Sequence, residues 1–153
     1  LCFTHELKGW DIDFGYENLF VYPIIDLEEF NIGIKSYISM LEDVVIETLK
    51  AFGIKGEKDE KAMGVWIDAG NKIKARKICA IGVKASRYIT MHGLALNVNT
   101  DLSFFDYINP CGFTDRGVTS IEKELNKKVD LREVSEIMRN AFANVFGMKW
   151  IEP

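Results

Sequence analysis

The sequence contains little proline and cysteine, and it has no long uncharged hydrophobic run. Its 153 residues include 3 Pro and 3 Cys, and no stretch reaches the roughly 18 apolar residues of a membrane-spanning helix. With 48% hydrophobic and 27% charged residues, the chain is neither disordered, collagen-like nor of low complexity. Its net charge of −4 disfavours a general nucleic-acid binder, which is expected to be basic. We expect a single globular domain over residues 1–153, with no membrane or nucleic-acid partner.

The three cysteines, Cys2, Cys79 and Cys111, cannot all pair, and their wide spacing matches neither a disulfide framework nor a zinc site. A reducing, cytoplasmic compartment is therefore expected. No other metal-ligand spacing and no glycine-rich phosphate loop occurs, so we predict neither a metal nor a cofactor. There is no secretory-signal pattern. Because the chain begins at Leu1 rather than at Met, we expect its natural start to lie upstream.

Segments with a helical apolar period or a capping box are predicted as helices: 33–52, 121–125 and 131–146. A short helical turn is expected at 101–108, and the mixed charges of 55–61 are typical of a solvated loop. Apolar runs rich in β-forming residues are predicted as strands: 65–67, 77–83, 88–90 and 94–98. Turn residues such as Ser86 and Gly93 divide them. The prediction is one α+β domain with a mostly antiparallel sheet flanked by helices, the first two runs forming a hairpin.

Cys111 is the first residue whose surroundings suggest chemistry, because it lies between Pro110 and Gly112. In such a turn, backbone N–H groups can approach a reacting carbonyl group. The competing interpretation is a small buried hydrophobic residue, which is more frequent for a cysteine but fits a turn poorly.

The basic run 72–77 is the second candidate. If the run is extended, side chains alternate between two faces. One face would carry Lys72, Lys74 and Arg76; the other would carry Ile73, Ala75, Lys77, Cys79 and Ile81. An ammonium group on an apolar face suits base chemistry or the holding of a thiolate, and the alternative for Lys77 is a strand-end lysine that reaches water.

His92 and Asn97 form a polar interruption between two predicted strands. His92 is a candidate base, although a histidine satisfied within a turn is the more frequent case.

Six segments, in this order and spacing, resemble the lipoyl(octanoyl) transferases of lipoate biosynthesis. They are YPIIDL (22–27), GVWI (64–67), RKICAIGV (76–83), TMHGLALN (90–97), INPCG (108–112) and GVTS (117–120). The resemblance covers the chain from about Leu19 onward. It implies the α+β fold shared by biotin and lipoate protein ligases, and transfer of an octanoyl group from acyl carrier protein to a lysine of a lipoyl domain.

The resemblance also assigns roles to residues. Cys111 matches the family's acyl-accepting nucleophile, and Lys77 matches the lysine that keeps it ionised. Six residues match the segments that line the acyl-substrate site: Ala80, Ile81, Gly82, Gly93, Leu94 and Ala95. The apolar run Leu94, Leu96 and Val98 is a candidate lining for an acyl tunnel, with core packing as the alternative.

Partners follow from the same resemblance. The donor would be octanoyl-acyl carrier protein, and the acceptors would be lipoyl domains of 2-oxoacid dehydrogenase complexes and the glycine cleavage H protein, with a monomeric enzyme in the cytoplasm. Because acyl carrier proteins are acidic, Lys72, Lys74 and Arg76 form a candidate docking patch. Two alternatives remain: a lipoate–protein ligase, which uses ATP and does not need Cys111, and a non-catalytic module that binds the carrier or the lipoyl domain.

The N-terminal part departs from the family pattern. Family members carry an Arg-Gly-Gly…Tyr-His-Gly-Pro-Gly-Gln stretch that helps to form the substrate site, whereas this chain reads GWDIDFGYEN at 9–18. We therefore assign no site residue before Leu19. Two explanations compete: the chain is a degenerate member of the family, or stretches of chain are missing here. We favour the second, with joins near Glu6/Leu7 and Phe14/Gly15.

Overall fold

The computed structural model describes residues 9–13, 17–107 and 116–150; the two expected joins, at Glu6/Leu7 and Phe14/Gly15, lie outside them. The strands within these residues are β1 Gly9–Asp13, β2 Asn18–Ile24, β3 Glu57–Lys58, β4 Val65–Ile67, β5 Arg76–Ser86, β6 Ile89–Asn97 and β7 Gly117–Val118. The helices are α1 Ile34–Ala51, α2 Ile121–Leu125 and α3 Leu131–Phe146, and a 3-10 helix spans Leu102–Tyr107.

The strands form one sheet in the order β1-β2-β6-β5-β4-β3, with antiparallel neighbours throughout. The short β7 pairs parallel with the start of β5. Arg76 and Lys77, the first two residues of β5, are therefore flanked by β4 on one side and by β7 on the other. The predicted α+β class, mostly antiparallel sheet and β4–β5 hairpin are confirmed.

Helix α1 confirms the helix predicted over 33–52. Four residues of its apolar stripe, Tyr37, Leu41, Val45 and Leu49, are fully buried against the sheet and α3. Gly53 follows with φ +73° and donates its N–H to the carbonyl of Lys50, which ends the helix.

Helices α2 and α3 begin where the capping boxes predict. The Ser120 hydroxyl accepts the N–H of Lys123 at 3.2 Å, and the Asp130 carboxylate accepts the N–H of Arg132 at 2.9 Å. Gly147, at φ +64°, ends α3.

The 3-10 helix confirms the helical turn predicted near 101–108. No helix of the described residues is long and apolar enough to span a membrane.

Two predictions, one about a strand boundary and one about a loop, were wrong. The runs 88–90 and 94–98 are not separate strands, because β6 continues through Gly93 as one strand. The charged stretch 55–61 is not only a loop, because β3 pairs there with β4, and Glu57 accepts the N–H of Ala69 at 2.9 Å. Charged residues can occupy β3 because it is two residues long and lies at the edge of the sheet.

Candidate active site

The two segments that resemble the acyl-substrate site lie side by side in the sheet. In the β5–β6 ladder Ala80 is opposite Ala95, and Gly82 is opposite Gly93. Because side chains alternate across a strand, these four positions belong to the sheet face opposite the helices. We call them the small-residue face. Ala80 and Gly82 are exposed on it.

The residues between them point the other way. Ile81 and Leu94 pair with each other, are 8% and 3% exposed, and belong to the hydrophobic core. Leu96 and Val98, the other candidates for a tunnel lining, are fully buried in the same core. The packing alternative for the run 94–98 is therefore the one observed.

The two glycines of the small-residue face have different reasons to be glycine. A Cβ at Gly82 would meet nothing within 4 Å, so the space above it is open. A Cβ at Gly93 would lie 1.9 Å from the carbonyl oxygen of Val21 and 2.9 Å from the Pro23 ring, because β2 passes directly against it. Gly93 is thus required by the packing of β2, whereas Gly82 leaves room for a ligand.

Lys77 reaches the site through a β-bulge. Val65 pairs with Cys79 and Trp66 with Lys77, so Ile78 is an extra residue in β5. Ile78 and Cys79 are both fully buried. Regular alternation would place Lys77 beside Cys79 and Ile81, as predicted from the sequence, and the bulge makes that prediction wrong.

Lys77 instead lies with Trp66, which is 2% exposed and is not part of the hydrophobic core cluster under the helices. The ammonium nitrogen is 4.8 Å from the centroid of the Trp66 ring, a cation–π contact. Gly64 lies against the stem of the lysine: at φ +118°, its Cβ position is 3.6 Å from Cε of Lys77 and 2.4 Å from the carbonyl oxygen of Cys79. No side chain fits at position 64.

Glu42 of α1 fixes the Gly64 turn. Its carboxylate accepts the N–H of Gly64 at 3.2 Å. Burial raises the pKa of Glu42, and that hydrogen bond and the charge of Lys58 oppose the rise.

A second cation shares the Trp66 ring. The Arg116 guanidinium carbon is 5.0 Å from the ring centroid, and Arg116 forms an ion pair with Asp59. The Lys61 backbone N–H and the Arg116 guanidinium lower the pKa of Asp59. The indole N–H of Trp66 donates to the carbonyl of Ala62 at 2.8 Å, which fixes the ring plane. Lys77 and Arg116 are thus held by one buried aromatic side chain.

The residues that follow Arg116 form β7, which pairs with the start of β5 beside Lys77. The N–H of Gly117 donates to Ala75, and the N–H of Thr119 donates to the carbonyl of Lys77 at 2.9 Å. Cys111 is five residues before Arg116, in a part of the chain outside the described residues, and so is Cys2.

The basic face predicted from the sequence does not form. Residues 72–74 are a turn, and β5 begins only at Arg76. Arg76 is not available to a partner, because its guanidinium bonds both oxygens of Glu124 at 2.6 Å and pairs with Asp68 at 2.5 Å.

Within the described residues, the structure places the other candidates, His92, Asn97 and Cys79, outside a catalytic arrangement. His92 is exposed within β6 opposite Val83, at φ +64°, and is not in a turn between strands. Asn97 donates to the carbonyl of Thr119 at 3.0 Å, which joins β6 to the end of β7. Cys79 is fully buried and burial strongly raises the pKa of its thiol, so it is unsuited to be a nucleophile.

No cluster of three metal-ligating side chains occurs in the described part of the chain. A cavity of about 1210 Å³ lies beyond the end of β6, lined by Asn18, Asn99, Thr100, Leu102 and Phe105 among others. Neither Lys77 nor any of the six substrate-site residues lines this cavity, so it is separate from the candidate site on the sheet face.

Sequence reasoning missed Trp66, Arg116 and Asp59 as parts of the site. The sequence places Trp66 in a predicted strand and in the GVWI segment of the resemblance, but assigns it no role in the site. Asp59 and Arg116 are 57 positions apart, and no spacing rule connects them. The one available signal was that Arg116 closely follows Cys111.

The fold defines the class: a mixed domain whose antiparallel sheet is covered by helices on one face, as in the biotin and lipoate protein ligases. The biotin protein ligase of Aquifex aeolicus in its apo form superimposes with a TM-score of 0.70 and 15% identity, over 95% of this chain and 61% of that one. A bipartite lipoate protein ligase of Thermoplasma acidophilum gives a TM-score of 0.64 and 18% identity, over 89% and 53%. The chain belongs to the lipoyl protein ligase A/B catalytic domain family, whose model matches residues 14–143.

Curated relatives named octanoyltransferase are about half identical to this chain. Those of Porphyromonas gingivalis, Parabacteroides distasonis and Bacteroides fragilis are 52%, 50% and 53% identical over 144, 148 and 133 residues. The matches cover 94%, 96% and 86% of this chain, and 29%, 67% and 60% of those proteins. The chain thus spans between about a third and two thirds of the length of these relatives.

Proposed function

We propose that this chain carries the catalytic core of an octanoyltransferase, which moves an octanoyl group from a carrier-protein thioester to a lysine of an acceptor protein. The observation that carries the proposal is the small-residue face with Lys77 on the same side of the sheet, four residues of one face paired across β5 and β6. The names of the relatives that are about half identical support it.

The first step uses Cys111 as the nucleophile. Its thiolate attacks the carbonyl carbon of the donor thioester, and a new C–S bond forms. The C–S bond to the carrier breaks, and the carrier leaves as a thiolate that takes up a proton from the medium. One thioester replaces another, so the step is nearly isoenergetic and needs no ATP. The ammonium of Lys77 supplies the positive charge that favours the thiolate.

The second step forms the amide. The neutral amine of the acceptor lysine attacks the carbonyl carbon of octanoyl-Cys111, the C–N bond forms, and the C–S bond to Cys111 breaks. The amine loses a proton, which Lys77 accepts in the proposed mechanism after giving up its own to the medium. The Trp66 ring and the Gly64 turn limit the rotamers of Lys77, which favours a fixed position for this group.

The octanoyl chain would lie on the small-residue face. Ala80 and Gly82 have little or no side chain, so a ligand can approach the backbone of the sheet. Nothing lies within 4 Å of the Cβ position of Gly82. An apolar chain laid there covers alanine methyl groups and backbone. Ile81 and Leu94 support this surface from the core below rather than contact the ligand through their side chains.

For the setting we propose octanoyl-acyl carrier protein as donor, and lipoyl domains of 2-oxoacid dehydrogenase complexes and the glycine cleavage H protein as acceptors. The enzyme would act as a monomer in the cytoplasm, where the thiol of Cys111 stays reduced.

A lipoate–protein ligase is the second candidate, because the family model and the structural neighbours include ligases. The discriminating variant is Cys111→Ser, assayed for transfer from octanoyl-carrier protein to a lipoyl domain without ATP, and for ligation of free octanoate with ATP. We expect the wild type to be active only in the first assay and the variant to be inactive. ATP-dependent ligation that survives Cys111→Ser would establish the ligase instead, and binding without either activity would indicate a non-catalytic module.

A further inference from the structure

The loop between β4 and β5, residues 68–75, is braced by hydrogen bonds of its own and by Arg76. The Asn71 side-chain oxygen accepts the N–H groups of Ile73 at 3.0 Å and Lys74 at 3.1 Å, and the Asn71 carbonyl accepts the N–H of Ala75 at 2.8 Å. The Arg76 guanidinium forms an ion pair with Asp68 and donates to the carbonyl of Lys74 at 3.0 Å, which ties both parts of the loop to β5. These bonds favour one backbone conformation at the tip, which lowers the entropy cost of binding a partner.

The tip presents one apolar side chain between two cations. Ile73 is 93% exposed, whereas Tyr88, which comes next among the large hydrophobic residues that the structure describes, is 58% exposed. Lys72 and Lys74 are exposed on either side of it, and neither forms an ion pair within 9–13, 17–107 and 116–150. The acidic side chain of the loop, Asp68, is taken by Arg76. A positive tip with an apolar centre thus stands on a chain whose net charge is −4.

The loop is close to the site but not in it. Ala75, at its end, accepts the N–H of Gly117 at 3.0 Å, next to the Lys77–Val118 pair. Ile73 is four residues before Lys77, so their Cα atoms are at most about 14 Å apart. A donor whose acyl group hangs on a long flexible prosthetic arm can dock at such a distance. An acceptor lysine has a shorter reach, so its protein must approach the site more closely.

We propose that the loop 68–75 is the docking surface for the acidic carrier protein that delivers the acyl thioester. Lys72 and Lys74 pair with carboxylates of the carrier, and Ile73 packs against an apolar patch between those carboxylates. The proposal rests on the octanoyltransferase function proposed above. It replaces the patch predicted from the sequence, because Arg76 is occupied and Ile73 takes its place.

The test compares two donors with the same thioester. The variants are Lys72→Glu/Lys74→Glu and Ile73→Ser, assayed with octanoyl-carrier protein and with octanoyl-coenzyme A. The matched control is Lys35→Glu/Lys50→Glu, which makes the same charge change on exposed positions of α1. We expect the loop charge variant to raise KM for the carrier protein roughly tenfold with kcat unchanged, and Ile73→Ser to raise it severalfold. KM for octanoyl-coenzyme A stays at the wild-type value, and the control changes both donors less than twofold.

Each other outcome overturns the docking surface. Equal loss with both donors would indicate damage to the site, and loop variants that behave like the control would show that the loop does not bind the carrier. A rise in KM for the lipoyl domain alone would assign the loop to the acceptor. Failure of the proposed function is recognised separately, because wild-type protein would then transfer octanoyl from neither donor.

Discussion

The Lys77 ammonium is 4.8 Å from the ring centroid of Trp66, its partner across the β4–β5 ladder. The extra residue Ile78 makes this pairing possible, since it changes the register so that Lys77 leaves the core side of β5. A charged group at the core side would be buried without water, at a large cost in free energy. The bulge therefore both protects the core and delivers a cation to the small-residue face.

Lys77→Arg separates the two proposed roles of the lysine. An arginine keeps the positive charge and the contact with Trp66 but does not give up its proton at any ordinary pH. We expect octanoyl-Cys111 to form at a rate within a few fold of wild type, and amide formation to fall roughly 100-fold. Single-turnover experiments that follow both species measure the two steps.

Lys77→Met is the control for charge, and both steps should slow with it. Amide formation at the wild-type rate in Lys77→Arg would contradict the role of Lys77 as proton acceptor.

The two glycines of the small-residue face should respond in opposite ways. Gly82→Leu adds a side chain where the Cβ position is open, so we expect a thermal midpoint close to wild type and a kcat/KM for octanoyl donors at least about tenfold lower. Gly93→Ala forces β2 and β6 apart at the Val21 carbonyl, so we expect a loss of about 3 kcal/mol in stability, or roughly 10 °C in Tm. Calorimetry and steady-state kinetics on both variants check this. Normal kinetics in Gly82→Leu would show that the acyl chain does not bind at the small-residue face.

The link between Arg76 and Glu124 should make stability depend on acid pH. The two hydrogen bonds from Arg76 lower the pKa of Glu124 below its ordinary value of 4.5. The folded state therefore favours the ionised carboxylate, and this contribution is complete above pH 4.5 and is lost as the pH falls through the lowered pKa. We expect Glu124→Gln to cost about 1–2 kcal/mol at pH 7, discounted for the partial exposure of Arg76.

Urea unfolding at pH 7 and between pH 4.5 and pH 3 measures this effect. The difference between wild type and Glu124→Gln should shrink at the acid end, while Glu136→Gln, at an exposed position of α3, matches wild type throughout. A difference that is the same at every pH would show that packing rather than charge connects α2 to β5.

The three α-helices could be predicted from the sequence because their signals lie within a few residues of each other. The apolar period of α1 and the capping residues Ser120 and Asp130 are read within a few positions, and the structure confirms the helices they predict. Gly93 was misread as a turn because the reason for it, the approach of the Val21 carbonyl, comes from another strand.

The candidate site depended on information from outside local patterns. The family resemblance assigned Ala80, Gly82, Gly93 and Ala95 to one substrate site. It did not predict that Ala80 pairs with Ala95 and Gly82 with Gly93, because neither segment alone indicates its partner. The bulge at Ile78 depends on the register with β4 and has no signature in β5 itself.

Peptide-resolved mass spectrometry after incubation with octanoyl-carrier protein determines whether Cys111 carries the octanoyl group during transfer. We expect one octanoyl group on Cys111 in wild type and in Cys79→Ala, its loss when a lipoyl domain is added, and none in Cys111→Ser. An unmodified Cys111 in protein that still transfers octanoyl to the lipoyl domain would contradict the proposed role of Cys111.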